Sequence, residues 1–168
     1  MAVGFRIREA TAEDVPALFA LIKGLAEYER LLEQLSATEE SLRCHLFGER
    51  QAAEAALAEE DGLAVGFAVY FHNFSTFLGK PGLYLEDLFV RPEYRGRGYG
   101  KALMVFVARL AQARGCGRLE WSVLDWNRPA REFYRTLGAH PLDEWIGQRM
   151  TGEAIARLAE HRLPGEDG

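Results

Sequence analysis

The chain has 168 residues, 48% of them apolar and 27% charged, the balance of one soluble globular domain, which excludes an intrinsically disordered chain. Its formal net charge of −5 argues against a nucleic-acid binder, which would carry a basic face for phosphates, and mildly favours cationic small molecules. No apolar run approaches the ~20 residues that cross a bilayer, and the first residues lack a secretory apolar stretch. Cys44 and Cys116 have no metal-ligand spacing and would pair only in an oxidising compartment, so a reduced, cytoplasmic protein is expected.

Phe5 to Arg8 alternates apolar and charged residues, the period of a strand. Thr11, followed by Glu13, Asp14 and Pro16, opens a helix whose apolar face is Val15, Leu18, Phe19, Ile22, Leu25 and Ala26. A second helix starts at Ser36 or Thr38 and stops at Gly48. Ala53 to Glu60 and Leu63 to Asn73 are expected as two strands joined at Asp61-Gly62, although the alanines and glutamates of the first suit a helix equally well. A loop over Gly79 to Gly82 leads into Leu83 to Val90, an apolar strand expected inside the sheet. Ala102, Leu103, Phe106, Val107, Leu110 and Ala111 then form the stripe of a long helix that Gly115 ends. A strand over Arg118 to Leu124, a helix over Ala130 to Thr136, a strand near Trp145 to Met150 and a helix over Glu153 to Glu160 complete the pattern.

Between the strand ending at Val90 and the long helix lies Arg95-Gly96-Arg97-Gly98-Tyr99-Gly100-Lys101. A glycine-rich turn at a helix start offers unpaired backbone amides to an anion, and Arg95 and Arg97 would add charge. A Walker-type loop does not fit, because Lys101 is followed by Ala102, and a dinucleotide fingerprint would come earlier in the chain. Taken alone, the stretch is either an anion site or a tight strand-to-helix turn with surface arginines.

Arg95-x-x-Gly98-x-Gly100 after Leu88-Phe89-Val90-Arg91-Pro92 resembles the pyrophosphate loop of the GNAT acetyltransferase superfamily. Leu21-Ile22-Lys23, Tyr28-Glu29, Tyr84-Leu85-Glu86-Asp87, Trp126-Asn127 with Pro129, and Phe133-Tyr134 are similar to the spermidine/spermine and thialysine acetyltransferase group, over Phe5 to about Ala139. The resemblance implies an α/β chain (α+β by some schemes) with a mixed, mostly antiparallel central sheet, a splayed parallel strand pair and flanking helices. A single domain over residues 1–162 with a polar tail over 163–168 is expected.

The same resemblance implies acetyl-CoA as co-substrate, no metal, and a primary amine on a small cationic acceptor. It assigns the cofactor to Leu88, Phe89 and Val90, to Arg95, Gly96, Arg97, Gly98, Tyr99, Gly100 and Lys101, and to Asn127, Pro129 and Ala130. An alkylamine has a pKa near ~10.4, so about one molecule in 10³ is free base at neutral pH, and a carboxylate must take its proton. Glu86 is implied as that base; from the residues alone it could equally cap or pair with arginines. Its neighbour Asp87 would face the other side of a regular strand unless a bulge intervenes. Tyr134 is implied as the acid that protonates the departing sulfur. Tyr28, Glu29, Glu86, Glu120, Trp121 and Ser122 are implied at the acceptor, where carboxylates and aromatic faces suit an ammonium. A homodimer is implied, with Phe74, Phe77, Leu78 and Trp145 as core or interface. An acyl-CoA-sensing module and a protein N-terminal or lysine acetyltransferase are the alternatives.

Overall fold

The computed structural model describes residues 4–165, which fall into two compact units, one ending at Asp125 and one beginning at Trp126. The first unit is built on a five-stranded sheet of order β1-β2-β3-β4-β5. Its strands are β1 (Phe5–Glu9), β2 (Glu54–Glu60), β3 (Leu63–Ser75), β4 (Lys80–Val90) and β5 (Leu119–Trp121). The first four pair antiparallel and β4 with β5 parallel, the mixed and mostly antiparallel sheet expected.

Two helices, α1 (Val15–Tyr28) and α2 (Glu39–Phe47), cover one sheet face, while α3 (Tyr99–Ala113) covers the other. On the first face Leu18, Leu21, Leu46, Leu57, Phe67, Val69 and Phe89 form a continuous core. On the second, Leu103 and Val107 are fully buried and Phe106 meets the Tyr70 ring. Cover on both faces explains why Ala55 to Ala58 form a buried strand despite their helix propensity: burial and ladder bonds outweigh an intrinsic preference of under ~1 kcal/mol per residue.

Helix starts lie close to their sequence signals. Thr38 caps α2 by accepting the Ser41 N–H, and Gly48 follows its last residue. Asp14 returns a bond to the Thr11 N–H, but the turn there is a 3₁₀ step (Ala12–Asp14) before α1 proper. Lys80 to Gly82 belong to β4 rather than to a loop, because β3 runs on to Ser75 and supplies their partners. The strand expected over Arg118 to Leu124 is paired only from Leu119 to Trp121.

Gly66 shows how tightly the α3 face is assembled. A Cβ at this position would lie 2.8 Å from the Phe89 carbonyl oxygen, a backbone atom held in the β3–β4 ladder. Gly66→Ala is therefore expected to lower stability by about 1–3 kcal/mol, read as a drop in the urea midpoint at unchanged slope.

The second unit contains α4 (Arg128–Thr136) and α5 (Gly152–Ala159). The strand expected near Trp145 to Met150 is not formed. Alternation marks two faces, but a strand exists only where a neighbour takes its N–H and C=O groups, and this segment has no ladder among the described residues. Both cysteines are free thiols.

Candidate functional site

The parallel ladder of β4 with β5 is short: Leu83, Tyr84 and Leu85 pair with Leu119, Glu120 and Trp121. Beyond Leu85, β4 continues to Val90 with only β3 beside it, so the two parallel strands part. This is the splayed pair expected from the sequence.

The register assigns the backbone groups on the open side. The Arg91 N–H donates to the Val65 carbonyl at 2.9 Å, which sets the phase of the antiparallel ladder. In that phase Phe89 bonds with Phe67 and Asp87 with Val69, while Leu88 and Val90 turn their N–H and C=O groups away from β3. The Val90 carbonyl accepts the Arg95 Nε–H at 3.0 Å. Of the backbone amides of Phe89 and Val90, Phe89's is thus used within the sheet and Val90's is directed into the gap.

The strands part at a β-bulge. Val69 pairs with Asp87 and its neighbour Tyr70 with Leu85, so Glu86 is the extra residue of β4. The bulge interrupts strict alternation: Leu85 shares the α3 face with Tyr70, while Asp87 and Phe89 share the α1 face with Val69 and Phe67. Glu86 is exposed and Asp87 half-buried. Asp87 enters a cleft of about 210 Å³ lined by Ile22, Leu25, Ala26, Glu29, Leu31 and Leu35 among others. Burial, with smaller contributions from the charges of Glu86 and Glu29, pushes its carboxyl up to about 7. Burial also raises Glu29.

A bulge is the condition under which Asp87 leaves the face opposite Glu86 that a regular strand would give it, and β4 has one. The available signal was the pair of adjacent carboxylates within an apolar strand covered on both faces. A regular strand would turn the two to opposite covered faces, whereas the bulge leaves Glu86 exposed and sets Asp87 in the cleft on the α1 face. Glu120 pairs with Tyr84 and Ser122 meets the Tyr84 hydroxyl at 2.9 Å, so these acceptor candidates share one face. Trp121 pairs with Leu85 and lies on the other.

At the end of β4 the chain turns through Gly96 (φ 76°) and Gly98 (φ 82°), the second of which caps α3. Left-handed backbone here is open to glycine at no steric cost. The first intrahelical bond runs from the Ala102 N–H to the Gly98 carbonyl, so the helix itself does not use the amides of Gly98, Tyr99, Gly100 and Lys101. Arg97 is less available than the sequence implied. Its Nη1 bonds both Glu60 oxygens, at 2.7 and 2.9 Å, and the Tyr99 hydroxyl donates to the same carboxylate. Glu60, which no sequence signal marked, is the organiser of the loop.

In the second unit Asn127 is buried and caps α4, accepting the Ala130 N–H at 3.3 Å, with Pro129 in the first turn. Tyr134 is half-buried and packs on Phe133, their ring centres 5.5 Å apart.

The model of the acetyltransferase (GNAT) family matches residues 19–139. The chain is 40% identical to the thialysine N-epsilon-acetyltransferase of Bos taurus, over 91% of this chain and 96% of that protein. It is 35% identical to the L-ornithine N5-acetyltransferase NATA1 of Arabidopsis thaliana, over 91% and 87%. Among solved structures, an integron cassette protein from the mobile metagenome of V. cholerae superposes with a TM-score of 0.80 at 27% identity, covering 95% of this chain and all of that one. By the family match over most of its length and by these relatives, the chain belongs to the GNAT family of acetyltransferases, which use acetyl-CoA.

Proposed function

We propose that the chain transfers the acetyl group of acetyl-CoA to a primary amine of a small cationic acceptor, a diamine, polyamine or lysine-like amino acid. The observation that carries this reading is the opening of β4 beyond Leu85, with two carboxylates at the bulge on one flank and the amide-rich loop at its end. Relatives named for thialysine and ornithine acetylation support the acceptor class.

The residues fit the donor. Backbone groups of Leu88 and Val90 suit an amide-bearing arm, and the turn over Arg95, Gly96, Arg97, Gly98, Tyr99, Gly100 and Lys101 suits its phosphates. When bound, acetyl-CoA supplies an activated acetyl thioester. Glu86, exposed at the mouth, and Glu29 and Glu120 attract the ammonium. Asp87, with its carboxyl near 7, is the better proton acceptor of the bulge pair, because a base poised near the working pH both is ionised and holds the proton it takes. The Val90 amide, directed into the gap, would stabilise negative charge developing on an acetyl oxygen held there. Tyr134 is the proposed acid for the sulfur, and Asn127, Pro129 and Ala130 the proposed further contacts to the donor.

The protein is proposed to work in the cytoplasm as a homodimer. Phe77, 92% exposed at the β3–β4 turn, and Trp145, 73% exposed, are the kind of large apolar side chains that a second copy would cover. No helix among the described residues is long and apolar enough to cross a membrane.

The test is thiol release from acetyl-CoA with thialysine, ornithine, spermidine and lysine peptides as acceptors, for the wild type, Glu86→Gln and Tyr134→Phe. Turnover of one small-amine class, with loss of rate in Tyr134→Phe at unchanged CoA affinity, is expected. CoA binding with no accelerated thiol release would overturn the proposal in favour of an acyl-CoA sensor, and turnover of peptides alone in favour of a protein acetyltransferase. Gly98→Ala forces a side chain into left-handed backbone at a cost of about 1–2 kcal/mol; a free loop that relaxes away from this backbone must be restored on binding, so CoA affinity should fall by up to roughly tenfold in calorimetry.

A further inference from the structure

Arg95 touches both halves of the site. Its Nε–H holds the Val90 carbonyl on the open side of β4 at 3.0 Å. Its guanidinium lies over the Tyr28 ring, 4.5 Å from the centroid, and near the Phe89 ring at 5.5 Å. Phe89 in turn seats α1: a Cβ at Gly24 would lie 3.1 and 3.2 Å from its ring atoms, so the helix approaches the strand as closely as a glycine permits. The chain therefore stacks Gly24 and Tyr28 of α1, then Phe89 of β4, with Arg95 holding the ring of Tyr28 and the backbone of Val90 together. Arg95 opens the glycine turn, whereas Tyr28 precedes Glu29, which lines the cleft that holds Asp87. A lysine could supply the charge, but not a flat face for the ring together with a fixed N–H for the carbonyl.

We infer that Arg95 is a positioning residue that couples the two substrates: a donor settling on the turn and on Val90 fixes Arg95, which fixes the end of α1 and preorganises the amine cleft. This inference rests on the donor and acceptor sites proposed above. A ligand that orders a shared element lowers the cost of ordering it for the second ligand, and the effect is equal in both directions. One exposed cation–π contact sets the scale, a factor of about two to five in affinity.

The experiment is calorimetry of thialysine binding with and without saturating CoA, which carries no acetyl group and permits no turnover, and of CoA binding with and without thialysine. In the wild type each ligand should tighten the other by the same two- to fivefold factor. Arg95→Lys and Tyr28→Leu should bring the factor to one, while Tyr28→Phe, which keeps the ring, should retain it. Far-UV spectra and melting curves establish that the variants fold. The ratio is the readout, because a merely structural loss would weaken either ligand alone without changing how one affects the other. If the factor survives in both Arg95→Lys and Tyr28→Leu, or if the wild type binds both ligands and acetylates thialysine with no coupling, the inference is overturned and the proposed function stands. If CoA fails to bind the wild type, the proposed function falls and the inference with it.

Discussion

Asp87→Asn should lower kcat/KM for the amine by about 10²-fold and remove the lower limb of its pH profile. In the wild type that limb should rise through about pH 7, as the Asp87 carboxyl loses its proton and becomes able to accept one from the ammonium. Glu86→Gln tests the division of work at the bulge. The Glu86 charge helps to raise Asp87, so its removal should shift the limb to lower pH while leaving it present. If Glu86 were the base, Glu86→Gln would abolish the limb and Asp87→Asn would merely displace it. Stability supplies an independent readout with the opposite sign. A carboxyl at about 7 in the folded chain and near 3.8 in the unfolded one keeps an extra proton on folding between those values. Stability from this group is complete below the unfolded value and is lost as pH rises through the folded one. Asp87→Asn removes that loss, so the variant should be more stable than wild type at pH 8 by on the order of 2 kcal/mol after screening by nearby water. A less active and more stable variant is the mark of a carboxylate kept in an unfavourable place for its chemistry.

The features legible in the sequence were those set by local chemistry. Thr38, one of two candidate starts, Asp61-Gly62 and Gly98 mark a cap, a turn and a helix start by residue type, and each lies at such a place. The illegible ones depended on a partner strand. Whether Trp121 and Glu120 share a face with the bulge carboxylates depends on register, and register depends on where β4 inserts its extra residue. Glu86 and Asp87 look interchangeable as adjacent acids; one inserted residue separates an exposed carboxylate from one pressed beneath α1. Arg97 looks unencumbered in the sequence, and only the fold brings Glu60, at the end of β2, to its guanidinium. The failure at Trp145 to Met150 has the same origin, since alternation cannot say which edge, if any, receives the segment.

The second large effect is expected far from the cleft, at Arg8. Glu59 is only 4% exposed, and its Oε1 accepts from Arg8 Nε and Nη2 at 2.9 and 2.6 Å while Arg6 Nε meets Oε2 at 2.6 Å. The same Arg8 guanidinium grips both Asp14 oxygens at 2.7 Å and so ties β1 and β2 to the turn that starts α1. Arg8→Ala leaves the half-buried Asp14 carboxylate without its guanidinium and the buried Glu59 with Arg6 alone, and should cost about 2–3 kcal/mol in urea unfolding at pH 7, a large share of a typical domain's stability. Glu59→Gln should cost less, because Arg6 and Arg8 are long and partly exposed and can turn their charges to water. Acid separates the two further. Bonds from Arg8, then from the Thr11 backbone, hold the Asp14 carboxyl at about 2, and Arg8 likewise lowers Glu59. Stability from both is therefore present above the ordinary carboxylate range and is lost as pH falls through about 4 towards 2. Arg8→Ala has already forfeited it, so the gap between this variant and wild type should narrow from pH 7 to pH 2. A gap that held constant over that window would mean that Arg8 contributes through packing of its stem rather than through its two carboxylates.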